Sequence, residues 1–134
     1  MIVADTNLIV YLYITGDQSD KASRVVEKDP YWIAPPLWQS EFRNVLAGYI
    51  RKGMSLEEAK RIMGLALDAM ETRQIQPSPD LVLELIANSN CTAYDCEFIA
   101  LAKETNSYLV TADRQLLKEF PETAVSLESF AENY

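Results

Sequence analysis

Short apolar runs along the chain alternate with longer stretches whose apolar residues recur at helical spacing. Ile2-Val3-Ala4 is the first run and reads as a buried strand. A helix is expected from about Leu8 to Tyr13. Thr15-Gly16-Asp17 then marks a turn before a second helix that reaches about Lys28. Trp32-Ile33-Ala34 is the next strand candidate, closed by Pro35-Pro36. A long helix follows from about Leu37 to Lys52. Gly53 ends it, after Arg51 and Lys52, whose charge suits the negative helix end. Ser55 with Glu58 has capping-box spacing and opens a helix to about Arg73, with Ala59, Ile62, Met63, Ala66, Leu67 and Met70 on its apolar face. These two helices should form a hairpin.

A short strand is expected around Ile75. Ser78-Pro79-Asp80 opens a helix to about Ala87, and Thr92 opens another to about Glu104. Tyr108-Leu109-Val110-Thr111 is the clearest later strand. A short helix, Arg114 to Glu119, a last strand at Ala124-Val125-Ser126 and a C-terminal helix complete the pattern. Apolar strands alternating with helices predict a parallel sheet covered on both faces. The expected fold is a three-layer α/β/α domain over residues 1–134.

The length of 134 residues suits one domain with its own core, and a 49% apolar content argues against disorder. No stretch has the length and apolarity of a membrane span, and the start lacks a signal-peptide pattern, so the expected compartment is the cytoplasm. The chain has two cysteines, Cys91 and Cys96, and no histidine. That excludes a Cys/His structural zinc site, a Ser-His-Asp or Cys-His nucleophile, and histidine-driven RNA cleavage. Both cysteines read as small buried apolar groups. Any catalysis must therefore fall largely to carboxylates. The formal charge of −8 argues against direct phosphate binding, unless cations held by clustered acids bridge to the phosphate.

Four acids stand out. Asp5 directly follows the first strand, and Asp113 comes two residues after the strand ending near Thr111. Ligand sites in open α/β sheets form beyond the carboxyl ends of strands. Taken singly, each of these two acids reads first as a helix N-cap. Glu41 falls between Leu37 and Val45 on the helical wheel, at or on the rim of an apolar arc that includes Trp38, Phe42, Leu46 and Tyr49. It could also reach water or pair with an arginine. Asp95 falls among Phe98, Ile99 and Ala102, while Glu97 falls on the polar side; Thr92 with Asp95 also has capping-box spacing. Four such carboxylates brought together would repel and lose solvation, so a divalent cation would relieve them. Oxygen-only ligands suit Mg²⁺ or Mn²⁺.

The same residues carry a family resemblance. Val3-Ala-Asp5-Thr6-Asn7, Trp38-Gln-Ser-Glu41-Phe-Arg-Asn-Val-Leu46, Thr92-Ala-Tyr-Asp95-Cys-Glu-Phe-Ile-Ala-Leu-Ala102 and Leu109-Val-Thr111-Ala-Asp113 follow one another in this order. Together they resemble the PIN-domain nucleases, most closely the VapC-type toxins of prokaryotic toxin–antitoxin pairs. The resemblance implies a central parallel sheet in order 3-2-1-4-5 with a helical hairpin. It implies a Mg²⁺- or Mn²⁺-dependent endoribonuclease. Asp5, Asp95 and Asp113 would hold metal directly or through water, and Glu41 would complete the shell or orient the attacking water. Thr6, Asn7 and Thr111 would support them by hydrogen bonds. Arg-Gln-Leu-Leu follows Asp113, where some relatives place another acid, so one or two metals both fit. An RNA substrate, a cognate antitoxin and a homodimer built partly on the hairpin are further implications. Arg43, Arg51, Lys52 and Arg114 are candidate RNA contacts. The rival readings are a PIN-like RNA-processing enzyme without an antitoxin, another metal-dependent phosphatase or DNase, and a non-catalytic binding module whose acids only cap helices.

Overall fold

The computed structural model describes residues 1–134. The first strand, β1 (Ile2–Ala4), is fully buried and leads directly into α1 (Thr6–Tyr13) and α2 (Ser19–Lys28). β2 (Trp32–Ile33) precedes the hairpin of α3 (Trp38–Arg51) and α4 (Leu56–Met70). Gly53 makes that turn at φ 115°, a left-handed conformation that glycine adopts without a Cβ penalty. α5 (Pro79–Ala87) and α6 (Ala93–Glu104) follow, then β3 (Leu109–Val110), α7 (Arg114–Glu119), β4 (Ala124–Val125) and α8 (Leu127–Asn133).

The sheet is parallel, in order β2-β1-β3-β4. After β2 the chain crosses from one side of β1 to the other, so a change in strand order falls at β1 and β3. The expected fifth strand around Ile75 is reduced to one parallel bridge, Ala34 with Gln74. Ala34 donates to the Arg73 carbonyl at 3.1 Å and accepts from the Ile75 N–H at 3.0 Å. The ladder cannot extend there. Pro35 and Pro36 follow Ala34 without N–H donors, and Pro77 and Pro79 lie just beyond Ile75.

Helices flank the sheet. α6 lies against β1 and β3 with α5 outside it, whereas α1 packs on α2, α3 and α4, and α2 on α8. α6 is buried almost all round, at Cys96, Phe98, Ile99, Ala100, Leu101 and Ala102. The expected apolar arc through Asp95 is therefore not a distinct face. Asp95 is only half-buried because it sits in the first turn, where the helix emerges at the sheet edge. Glu97, expected on the polar side, is half-buried as well. On α3, Trp38, Phe42 and Leu46 are buried, while Tyr49 is exposed rather than part of the packed arc.

Candidate active site

Parallel strands end together, so the residues just after β1 and β3 meet at one edge of the sheet. The Asp5 N–H donates to the Val110 carbonyl at 3.2 Å, and the Thr111 N–H donates to Val125 at 3.0 Å. These bonds fix Asp5 and Thr111 as neighbours across the ladder. The Thr111 hydroxyl then donates to Asp5 Oδ2 at 2.6 Å and accepts from the Asp113 N–H at 3.0 Å. Asn7 reaches across the same seam. Its Nδ2 donates to Asp5 Oδ2 at 3.4 Å, and its Oδ1 accepts from the Ala112 N–H at 3.4 Å.

Asp5 is the N-cap of α1, accepting from the Thr6 N–H at 2.8 Å. Thr6 in turn donates its hydroxyl to Glu41 Oε1 at 2.7 Å, which ties α1 to α3. Asp113 caps α7 through one oxygen, Oδ1, which accepts from Gln115 and Leu116 at 2.8 and 3.1 Å. Capping and a place at the site are thus compatible, because each carboxylate has two oxygens. Thr92 caps α6 by accepting from the Asp95 N–H at 3.1 Å.

Asp5, Glu41, Asp95 and Asp113 line one cavity of about 620 Å³ together with Thr6 and Asn7. The molecule's ion pairs are Lys21–Glu128, Arg61–Glu58 and the N-terminal ammonium with Asp29, so none of the four acids has a cationic partner. The consequence is electrostatic. Burial drives the Asp5 carboxyl up to about 7 from an ordinary 3.8. Hydrogen bonds from Thr111 and Thr6 oppose the rise, and the charges of Glu41 and Asp95 add to it. Glu41 is raised chiefly by desolvation, then by Asp95 and Glu97, against the Thr6 bond. Asp95 is raised by desolvation and by Asp113. In all three acids burial is the larger cause, the charge of neighbouring acids adds to it, and no cation opposes either.

No three acidic side chains are gathered closely enough to grip an ion as a ready-made set. The donor set nevertheless fits a hard cation. It offers only oxygens, it lacks internal counter-charge, and its acids stand back around a cavity. Mg²⁺ usually keeps several waters and takes one or two carboxylates directly.

The basic candidates fall elsewhere. Arg43, Arg51, Lys52 and Arg114 are exposed and none lines the acidic cavity. Arg43 donates to Ser40 Oγ at 3.3 Å, and Lys52 borders a separate hollow with Val45, Gly48 and Tyr49. The pattern missed Ser40, Asn44 and Tyr94, which line the acidic cavity. Their only sequence signal was adjacency to Glu41 and Asp95. The two cysteines are free and buried, as expected.

The PIN domain family matches residues 2–122. The chain belongs to this nuclease family. Ribonuclease VapC3 of Pyrobaculum aerophilum is 27% identical to it over 124 residues, covering 90% of this chain and 95% of that protein. The crystal structure of PAE2754 from Pyrobaculum aerophilum superposes with a TM-score of 0.76 at 21% identity, covering 97% of this chain and 92% of that one. The second likeness establishes the PIN-like α/β fold, a parallel sheet with flanking helices. No helix is long and apolar enough to cross a membrane.

Proposed function

We propose that this PIN-domain chain is a Mg²⁺- or Mn²⁺-dependent endoribonuclease, and the toxin of a VapBC-type toxin–antitoxin pair. The observation that carries the catalytic reading is the cavity itself. Four carboxylates from four separate segments line it, and the protein supplies no cation to balance them. The RNA substrate and the antitoxin rest on the likeness to Ribonuclease VapC3.

Asp5, Asp95 and Asp113 would hold the cation directly or through water. Glu41 would complete that shell or orient the attacking water. Thr111 and Thr6 fix Asp5 and Glu41 by donating hydroxyl protons, and Asn7 steadies the seam between the two strand ends. A bound divalent cation supplies charge neutralisation at the phosphate and activation of water. The single carboxylate oxygen that Asp113 spends on its helix leaves the other oriented by the cap. The exposed apolar residues Tyr49, Ile50, Leu56 and Leu65 of the α3–α4 hairpin are the surface for a homodimer. Free buried cysteines fit work in the reducing cytoplasm.

The test is Mn²⁺-dependent cleavage of RNA, DNA and a phosphomonoester by the wild type, Asp5→Asn and Asp95→Asn. RNA alone should be cut, and each variant should lose roughly three orders of magnitude, the scale of several kcal/mol of transition-state stabilisation. Undiminished cleavage in both variants would refute the carboxylate site. Cleavage of DNA or the monoester instead would refute the substrate class. Failure of the chain to form a complex with the product of a small adjacent gene would remove the toxin assignment and leave the nuclease.

A further inference from the structure

Beside its acids the cavity is lined by neutral residues: Leu37 at the N-cap of α3, Ser40, Asn44 and Val45 around Glu41 on that helix, and Tyr94 of α6. Tyr94 is 61% exposed, makes no side-chain hydrogen bond and stacks on no other aromatic ring. It immediately precedes Asp95, and successive helical residues diverge by about 100°, so the ring forms the wall next to that carboxylate. Asn44 stands one helical turn beyond Ser40 on the same face, exposed, with its amide unpaired.

We infer that these neutral residues form a nucleobase pocket beside the acids, in which Tyr94 stacks on an unpaired RNA base next to the scissile phosphate and Asn44 bonds the base edge. The inference rests on the nuclease reading above. Charge favours it. The chain carries −8, and no Lys or Arg lines the cavity, so beyond the cation at the phosphate the lining offers RNA no positive charge, and contacts to the base are what it can add. Stacking on an aromatic ring needs no cation and tolerates any base, because every base has a π-face. A free carboxamide offers both a donor and an acceptor to a base edge. The pocket selects single strands, since a base in a duplex has no free face.

The experiment pairs wild type, Tyr94→Ala and Tyr94→Phe with single-stranded RNA oligonucleotides, either intact or carrying one abasic ribose at successive positions around the cleaved bond. Cleavage is read with Mn²⁺, and binding is read in parallel by anisotropy with Ca²⁺. Tyr94 is exposed, so its replacement should leave the fold intact. At one position the abasic RNA should lose roughly 5- to 150-fold in wild type and Tyr94→Phe. Tyr94→Ala should show that loss already with intact RNA and lose nothing more at that position. A Tyr94→Ala enzyme equal to wild type, or weakened alike on every RNA, overturns the pocket and leaves the nuclease. Position-specific binding through Tyr94 without cleavage upholds the pocket and overturns the nuclease. Absence of both binding and cleavage overturns both.

Discussion

The two edges of the sheet treat the same residue type in opposite ways. At the amino edge, Asp29 pairs with the N-terminal ammonium and accepts the Tyr31 N–H at 2.9 Å, while Tyr108 packs edge-on against Tyr134. At the carboxyl edge, Asp5 sits 7% exposed with hydroxyl, amide and backbone donors but no cation. Asp29 has what a structural acid needs. Asp5 has its position fixed and its charge left uncompensated. An acid with its own cation stabilises a fold, whereas an acid held only by neutral donors keeps an affinity for something outside the chain.

The largest contrast should come from Asp5→Asn, because it is predicted to help stability while abolishing most cleavage. In the unfolded chain Asp5 ionises near 3.8, and in the fold only near 7. Between those values the folded state keeps a proton that the unfolded state has released. Metal-free stability therefore falls as pH rises from about 4 to about 7 and stays low above that. Thermal melts in EDTA at pH 8 should show Asp5→Asn gaining roughly 3–6 °C, about 1 kcal/mol for a chain of this size, with a smaller gain at pH 5 and none near pH 3, where both states hold the proton. A loss of stability at pH 8 would end the contrast.

Next in size is the response to the ion. Mn²⁺ at a hundred times its dissociation constant should stabilise the wild type by about 2.7 kcal/mol at pH 8. The shift should shrink at pH 5, where protons compete for the raised carboxyls. Asp95→Asn should reduce it, and an undiminished melting shift would remove Asp95 from the ion's surroundings. Thr111→Val deletes the donor to Asp5 and the acceptor of the Asp113 N–H. Cleavage should fall roughly 10- to 100-fold, as for other supports of metal ligands, and kinetics matching wild type would show the hydroxyl to be dispensable. The smallest effect belongs to the other edge. Asp29→Ala should cost about 1 kcal/mol in denaturant melts and leave cleavage unchanged.

Much of this arrangement was legible in the chain. Apolar runs located β1, β2 and β3, and capping residues marked the starts of α4, α5 and α6 to within a residue. Asp5 and Asp113 were visible because strand ends are visible. The strand near Ile75 was overread, since its pairing is cut short by prolines on both segments, Pro35 and Pro36 after Ala34 and Pro77 and Pro79 after Ile75. Asp95 was assigned to an apolar arc because a helical wheel shows composition, not depth. A helix packed between a sheet and another helix has no single inner face. Tyr94 was invisible for a related reason. An exposed aromatic next to an acid has no periodic signature, and only the folded cavity gives it a role.

The hydroxyl of Thr6 has a kinetic consequence. It satisfies Glu41 with a neutral donor where an arginine could have stood. On the proposed metal-site reading, an arriving ion would displace no tethered side chain. Its loading would be limited by the shedding of water and protons and should quicken as pH rises, with no ion pair of the chain to break on entry or re-form on exit.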